Sequence, residues 1–99
     1  GIPPEKGHLH LPDEVIVIGD GAFWGCTSLN NVTIPDSVIT IEDDAFFACE
    51  TLEKLHIPDS VTSIGVDAFS LCKELTIVST ENGYAHQFAV ANGISWKAK

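Results

Sequence analysis

Residues 22–38 read AFWGCTSLNNVTIPDSV, residues 45–61 read AFFACETLEKLHIPDSV, and a third start, AFSLCKEL, begins at Ala68. The period is 23 residues. Pro12, Pro35 and Pro58 keep it, as do Val15, Val38 and Val61, and Ile18, Ile41 and Ile64. Ala22, Ala45 and Ala68 follow the same spacing, with Phe23, Phe46 and Phe69, Cys26, Cys49 and Cys72, and Leu29, Leu52 and Leu75 behind them. Residues of buried type recur while those between them vary freely. Each unit therefore packs the same side chains against its neighbours, which is how a solenoid builds its core.

Within a unit, Ala22, Phe23, Cys26 and Leu29 fall on one face of a short helical turn. Val32, Thr33 and Ile34 then alternate in, out, in, as a strand does. Proline ends that strand. Val15, Val17 and Ile18, with their counterparts, predict a second short extended piece on the other side of each coil. Leu9 and Leu11 take the places of Val32 and Ile34, so the chain opens on the strand of an incomplete unit. Three full units then run from Pro12 to about Val78. Beyond Val78 the repeat stops. ENGYAHQFAVANGISW, residues 81–96, predicts a helix over residues 84–91 with Ala85, Phe88 and Ala89 on one face and Asn92-Gly93 as its stop. A solenoid needs a terminal element over its last coil, and this segment, ending in Ile94 and Trp96, suits that task. The expected organisation is a partly disordered flank over residues 1–8, a solenoid over residues 9–82 and a cap over residues 83–99.

A chain of 99 residues has room for one domain and one continuous core. Its hydrophobic content of 44% and mean hydropathy of +0.18 argue for a well-buried fold. Fourteen acids stand against five lysines and no arginine, giving a net charge of −9. That balance excludes a nucleic-acid partner or an anionic membrane surface, which reward clustered Lys and Arg. The longest apolar run is far too short to cross a bilayer, so no direct membrane insertion is expected. No charged-then-apolar start resembles a secretion signal. The chain begins with Gly1 rather than Met and is expected to be a trimmed fragment or mature piece.

The unit seen as IPDSVITIEDDAFFACETLEKLHI from Ile34 resembles the BspA-like, Treponema-type leucine-rich repeat. The tail resembles that family's C-terminal cap through Gly83, Ala85, Ala89, Asn92, Gly93, Ile94 and Trp96. The resemblance covers about residues 9–96. It implies an α/β solenoid: a short right-handed leucine-rich-repeat superhelix with a parallel concave sheet, short convex strands and helical turns, and a C-terminal helical cap. It also implies an extracellular or cell-surface location, since the family is largely secreted or surface-bound in bacteria and some mucosal protists. Several members are implicated in adhesion to host proteins. Two departures stand out: Glu42 replaces the glycine kept at Gly19 and Gly65, and Trp24 and Phe47 stand where the family carries a small polar residue.

Candidate sites follow from the rows that the period makes. Sliding by 23 aligns His8, Asn31, Lys54 and Ile77, and then His10, Thr33, His56 and Ser79. On a concave sheet these rows make a polar surface with three of the four histidines and no acid. His8 and His10 share one strand face, but a metal site needs a third ligand. Trp24 and Phe47 share a convex row, and since Phe23 and Phe46 face the core, their neighbours should turn outward, either as a protein contact patch or partly buried between coils. Cys26, Cys49 and Cys72 form an inward ladder, read as free buried thiols rather than a disulfide or zinc site. Asp20, Asp43, Asp44 and Asp67 precede each turn and Asp13, Asp36 and Asp59 follow each proline. Capping of free N–H groups explains them; Ca²⁺ binding is the alternative, though the EF-hand spacing is absent.

No G-x-S-x-G elbow and no glycine-rich phosphate loop is present, and His86 has no nucleophile placed beside it by spacing. Neither a catalytic residue nor a cofactor is expected. The reading is an extracellular protein-binding or adhesion module whose ligand is a protein, with host extracellular-matrix and plasma proteins as the expected class. The alternative is a structural spacer of a larger surface protein, without a ligand of its own. The N-terminal end, with no lid comparable to the cap, is expected to fray or to pair with a second copy.

Overall fold

The computed structural model describes residues 8–99. The flank expected over residues 1–8 lies, apart from His8, outside the described residues. Along the chain run β1 (His8–His10), β2 (Val17–Ile18), β3 (Asn31–Thr33), β4 (Thr40–Ile41), β5 (Lys54–His56), β6 (Ser63–Ile64), β7 (Thr76–Ser79), α1 (Tyr84–Ala91) and β8 (Ser95–Ala98). Each full coil gives one strand to a sheet ordered β1-β3-β5-β7-β8 and one to a smaller sheet ordered β2-β4-β6. All pairings are parallel. Parallel neighbours one period apart are what a repeating coil must produce, because each strand is followed by the same turns before the chain returns. Pro12, Pro35 and Pro58 start the turn between the two sheets, their carbonyls accepting the N–H of Val15, Val38 and Val61.

The segment predicted as a helical turn is a run of tight turns. Ala22, Trp24 and Cys26 donate their N–H groups to carbonyls three residues back, at Gly19, Gly21 and Phe23. Backbone angles in the left-handed region at Gly21 and Gly25, then at Asp44 and Ala48, and at Asp67 and Leu71, stop a helix from propagating. The alternate N–H groups cross to the next coil instead. Gly21, Phe23 and Gly25 donate to the carbonyls of Asp43, Ala45 and Phe47 at 3.0, 2.7 and 2.7 Å; Asp44, Phe46 and Ala48 donate to Val66, Ala68 and Ser70 at 3.1, 2.8 and 2.8 Å. Coils are thus stitched together on the turn side as well as through the sheets.

Between these walls lies the repeated core. Val32, Val38, Ile41, Phe46, Leu52, Leu55, Val61 and Ile77 are fully enclosed. The phenylalanines form a column: Phe23 stacks on Phe46 at 5.1 Å, Phe46 on Phe69 at 5.7 Å, and Phe88 of α1 meets Phe69 edge-on at 6.0 Å. The edge-on contact ends the stack, since Phe88 presents no parallel face to continue it.

Two features differ from the strict period. β5 and β7 pair as Lys54↔Thr76, Leu55↔Ile77 and His56↔Val78, one residue short of the 23-residue offset. Two residues separate Leu52 from Leu55, but only one separates Leu75 from Ile77, and all four are buried. The last unit has lost a residue there, and because strand side chains alternate, the slip turns Ile77 and Ser79 inward. Second, the tail does more than place α1 over the last coil. Ser95–Ala98 adds a fifth parallel strand beside β7, in the register Thr76↔Ser95 to Ser79↔Ala98.

Candidate functional site

The outward face of the larger sheet is built by strand alternation: Leu9, Val32, Leu55, Ile77 and Trp96 are paired in one inward row, which puts their flanking residues outside. One outward row is His8, Asn31, Lys54, Thr76 and Ser95; the other is His10, Thr33, His56, Val78 and Lys97. The predicted residues His8, Asn31, Lys54, His10, Thr33 and His56 therefore stand together. Ile77 and Ser79 do not belong to these rows; Thr76 and Val78 take their places. Ser95 and Lys97 were not foreseen, and the alternation of S-W-K-A was their only signal.

Within the rows, the His8 and His10 rings stack at 4.9 Å with planes 10° apart. Asn31 carries a buried side-chain oxygen without a hydrogen-bond partner among the described residues. Val78 is buried but lies outside the core cluster, so it forms an apolar floor on the outward side, beside His56 and the C-terminal Lys99. Burial, and after it the neighbouring Lys54 and His8, hold the His56 imidazole below its usual value. The ten positions of the two rows hold no acid; Asp36 lines the same shallow cavity as His56 and Lys99 at one margin. Chemically this is a strip of ammonium and imidazole groups on a chain of net charge −9, suited to a ligand that presents carboxylates or other hydrogen-bond acceptors.

On the turn side Trp24 is 57% exposed and stacks on the half-buried Phe47 at 4.4 Å. The two rings cover one another and leave the outer indole face to solvent. Further round the coil, the acids cap backbone donors of the following coil rather than of their own turn: Asp20 accepts from the N–H of Asp43 at 3.1 Å and Asp43 from Val66 at 2.8 Å. Cys26, Cys49 and Cys72 are free thiols in a ladder. Cys49 and Cys72 donate to the carbonyls of Phe23 and Phe46, each at 3.0 Å. Burial pushes the Cys49 thiol up to about 11, and Cys72 in the same direction. Both are hydrogen-bonded protonated thiols at neutral pH, without the thiolate that nucleophilic chemistry requires. Among the described residues no three His, Cys, Asp or Glu side chains converge as metal ligands, and no helix is long and apolar enough to cross a membrane.

No curated protein matches this chain. A family profile described as the BspA type leucine rich repeat region matches residues 6–91. Among solved structures, a leucine rich cell surface protein from Faecalibacterium prausnitzii A2-165 is similar, with a TM-score of 0.70 and 35% sequence identity over 86% of this chain. The chain covers 21% of that protein, about a fifth of its length. With the 23-residue coil, the phenylalanine column and the parallel sheet already in place, a profile running through nearly all of the repeats leaves one reading: this chain belongs to the BspA-type leucine-rich repeat family.

Proposed function

We propose that this chain is a cell-surface binding module whose concave sheet holds an acidic surface of a protein ligand, as an adhesin does. The observation that carries the reading is the segregation of charge. Lys54 and Lys97, with the imidazoles of His8, His10 and His56 between them as hydrogen-bonding groups, share two outward rows without a carboxylate, on a molecule that is acidic elsewhere. Charge complementarity of this kind steers partners and sets specificity. The curvature of a solenoid also makes its concave face an extended binding surface. A surface location is supported by the similar leucine rich cell surface protein, and host extracellular-matrix or plasma proteins are the ligand class to try first.

The test is binding of the purified chain to a panel of immobilised matrix and plasma proteins, beside a His10→Ala, Lys54→Ala, His56→Ala variant. Saturable binding that weakens at least tenfold in the triple variant and with added salt supports the concave face. Loss of binding only in a Trp24→Ser, Phe47→Ser variant moves the contact to the stacked aromatic pair, a second reading favoured by the exposed indole. Indifference of both variants, or no binding at all, supports the spacer.

A further inference from the structure

The coils are joined on the turn side by a one-way ladder. In the first coil the N–H groups of Gly21, Phe23 and Gly25 point forward to carbonyls of the second, and in the second those of Asp44, Phe46 and Ala48 point forward to the third. The corresponding groups of the third coil belong to Asp67, Phe69 and Leu71. Among the described residues none of these three N–H groups has an acceptor.

The C-terminal tail closes the other open edges of that coil. β8 pairs with β7, and the Tyr84 hydroxyl oxygen accepts the N–H of Ile64 at 3.0 Å. Phe88 covers Phe69. On the turn side, however, the tail stands away and leaves a groove of about 580 Å³ between the turn and α1, walled by Val66, Asp67, Phe69, Leu71, Phe88 and Ile94.

Two apolar residues of this groove depart from the types their rows hold in the earlier coils. Val66 stands where Asp20 and Asp43 cap the coil ahead, and it is 71% exposed. Leu71 stands where Gly25 and Ala48 stand, is 54% exposed and adopts φ 63°, a backbone region that disfavours a branched side chain. Both departures are apolar, both are exposed, and both flank the row of free donors.

We propose that this groove binds a short peptide segment of a partner protein, folded in the same run of tight turns as the coils before it. The segment continues the turn-side ladder, offering main-chain carbonyls at alternate residues to the N–H groups of Asp67, Phe69 and Leu71 and laying apolar side chains on Val66 and Leu71. The occupant's chemistry is set by continuity with the two coil-to-coil interfaces that precede it, in which the acceptors are neutral carbonyls two residues apart. A free anion fits less well, because the Asp67 carboxylate stands at the rim, where it accepts from the Ser70 hydroxyl at 2.8 Å. A whole coil of a second copy is kept out by Phe88, which already occupies the place of the next stacked ring. This site is independent of the concave face.

Amide exchange and peptide titration of the ¹⁵N-labelled chain test it. In the free chain the amides of Asp67, Phe69 and Leu71 exchange fast and those of Asp44, Phe46 and Ala48 slowly; slow exchange at the first three would show that the donors are already satisfied and overturn the proposal. The probe is a capped hexapeptide, Val-Asp-Ala-Phe-Ser-Leu, copying residues 66–71. It is expected to shift the three free amides saturably. A copy in which the carbonyls of its first, third and fifth residues are reduced to methylenes should bind at least tenfold more weakly. So should the intact peptide with a Val66→Asp, Leu71→Gly chain, which restores residue types found in the earlier coils and should keep the fold. Equal binding by the reduced peptide or the double variant, shifts elsewhere, or none up to millimolar peptide would each overturn it. Protection of the same amides that depends on chain concentration without peptide would name a second copy as occupant and overturn the peptide assignment.

Discussion

Gly21 and Gly25 hold φ angles of 62° and 66°, and one period later Asp44 and Ala48 hold 58° and 59°. The first coil meets this requirement with glycine; the later coils meet it with residues that carry a Cβ. An L-residue in this region costs about 1–2 kcal/mol, and glycine loses about 0.4–1 kcal/mol more than alanine through the freedom of its unfolded chain. The strain is larger, so Ala48→Gly should raise stability by about 0.5–1 kcal/mol and Gly25→Ala should lower it by a similar amount, measured by urea unfolding. A Cβ at Gly25 would meet nothing within 4 Å, so that loss would report backbone strain alone. The period located these positions, but only the backbone angles showed which of them need glycine. Cys49 adds a pH dependence. Its folded value of about 11 lies above the ordinary 9.0, so the unfolded chain releases its proton first and stability falls as pH rises from 9 to 11. Below pH 9 that contribution is fully present. The loss has an upper bound of about 3 kcal/mol. Unfolding midpoints across this range should fall less steeply in Cys49→Ala, where the Cys72 thiol, raised in the same direction, still contributes.

The tail shows how a last coil is covered. α1 was legible because Ala85, Phe88 and Ala89 fall on one helical face and Asn92-Gly93 stops it, and the structure buries Ala85 and Ala89 under that helix. β8 was not legible. A strand of four residues takes its identity from the edge it joins, and the alternation of Ser95, Trp96, Lys97 and Ala98 is too brief to separate from loop. Beside its pairing with β7, a part-buried contact holds it: the Trp96 indole N–H donates to the Ser79 hydroxyl at 2.8 Å, while His86 stacks on the indole at 3.6 Å. Ser79 is 2% exposed. Trp96→Phe would keep most of the stack but leave that hydroxyl without a donor, at a cost of about 1–3 kcal/mol. Adding Ser79→Ala should recover part of the loss, and a denaturant double-mutant cycle would measure the coupling.

Across the whole molecule, charge and edges decide association. β1 is the first strand of the larger sheet among the described residues, with Leu9 and Leu11 half-buried, and Ile16 and Val17 are exposed at the first strand of the smaller sheet. An edge with apolar surface next to it invites pairing, so this chain should form a concentration-dependent dimer in sedimentation, and the amides of Leu9 and Leu11 should exchange faster in the monomer than those of Val32. A strictly monomeric chain with well-protected Leu9 and Leu11 amides would sink this expectation.

The 23-residue period by itself determined the coil, the proline turns, the phenylalanine and cysteine columns and the polar rows from His8 to Lys54 and from His10 to His56. Burial that recurs at a fixed spacing is a property a linear sequence can carry, because each coil packs only on its neighbours. Tertiary structure alone decided the rest. Leu75 and Ile77 are both buried with one residue between them, so the last strand slips by one and presents Thr76 and Val78 where strict periodicity put Ile77 and Ser79. It also decided that β8 extends the concave face with Lys97, and that the tail leaves three backbone donors without an acceptor among the described residues. These outcomes depend on which edges remain open once the last coil is packed, and a repeating sequence does not encode that at the point where its repeat ends.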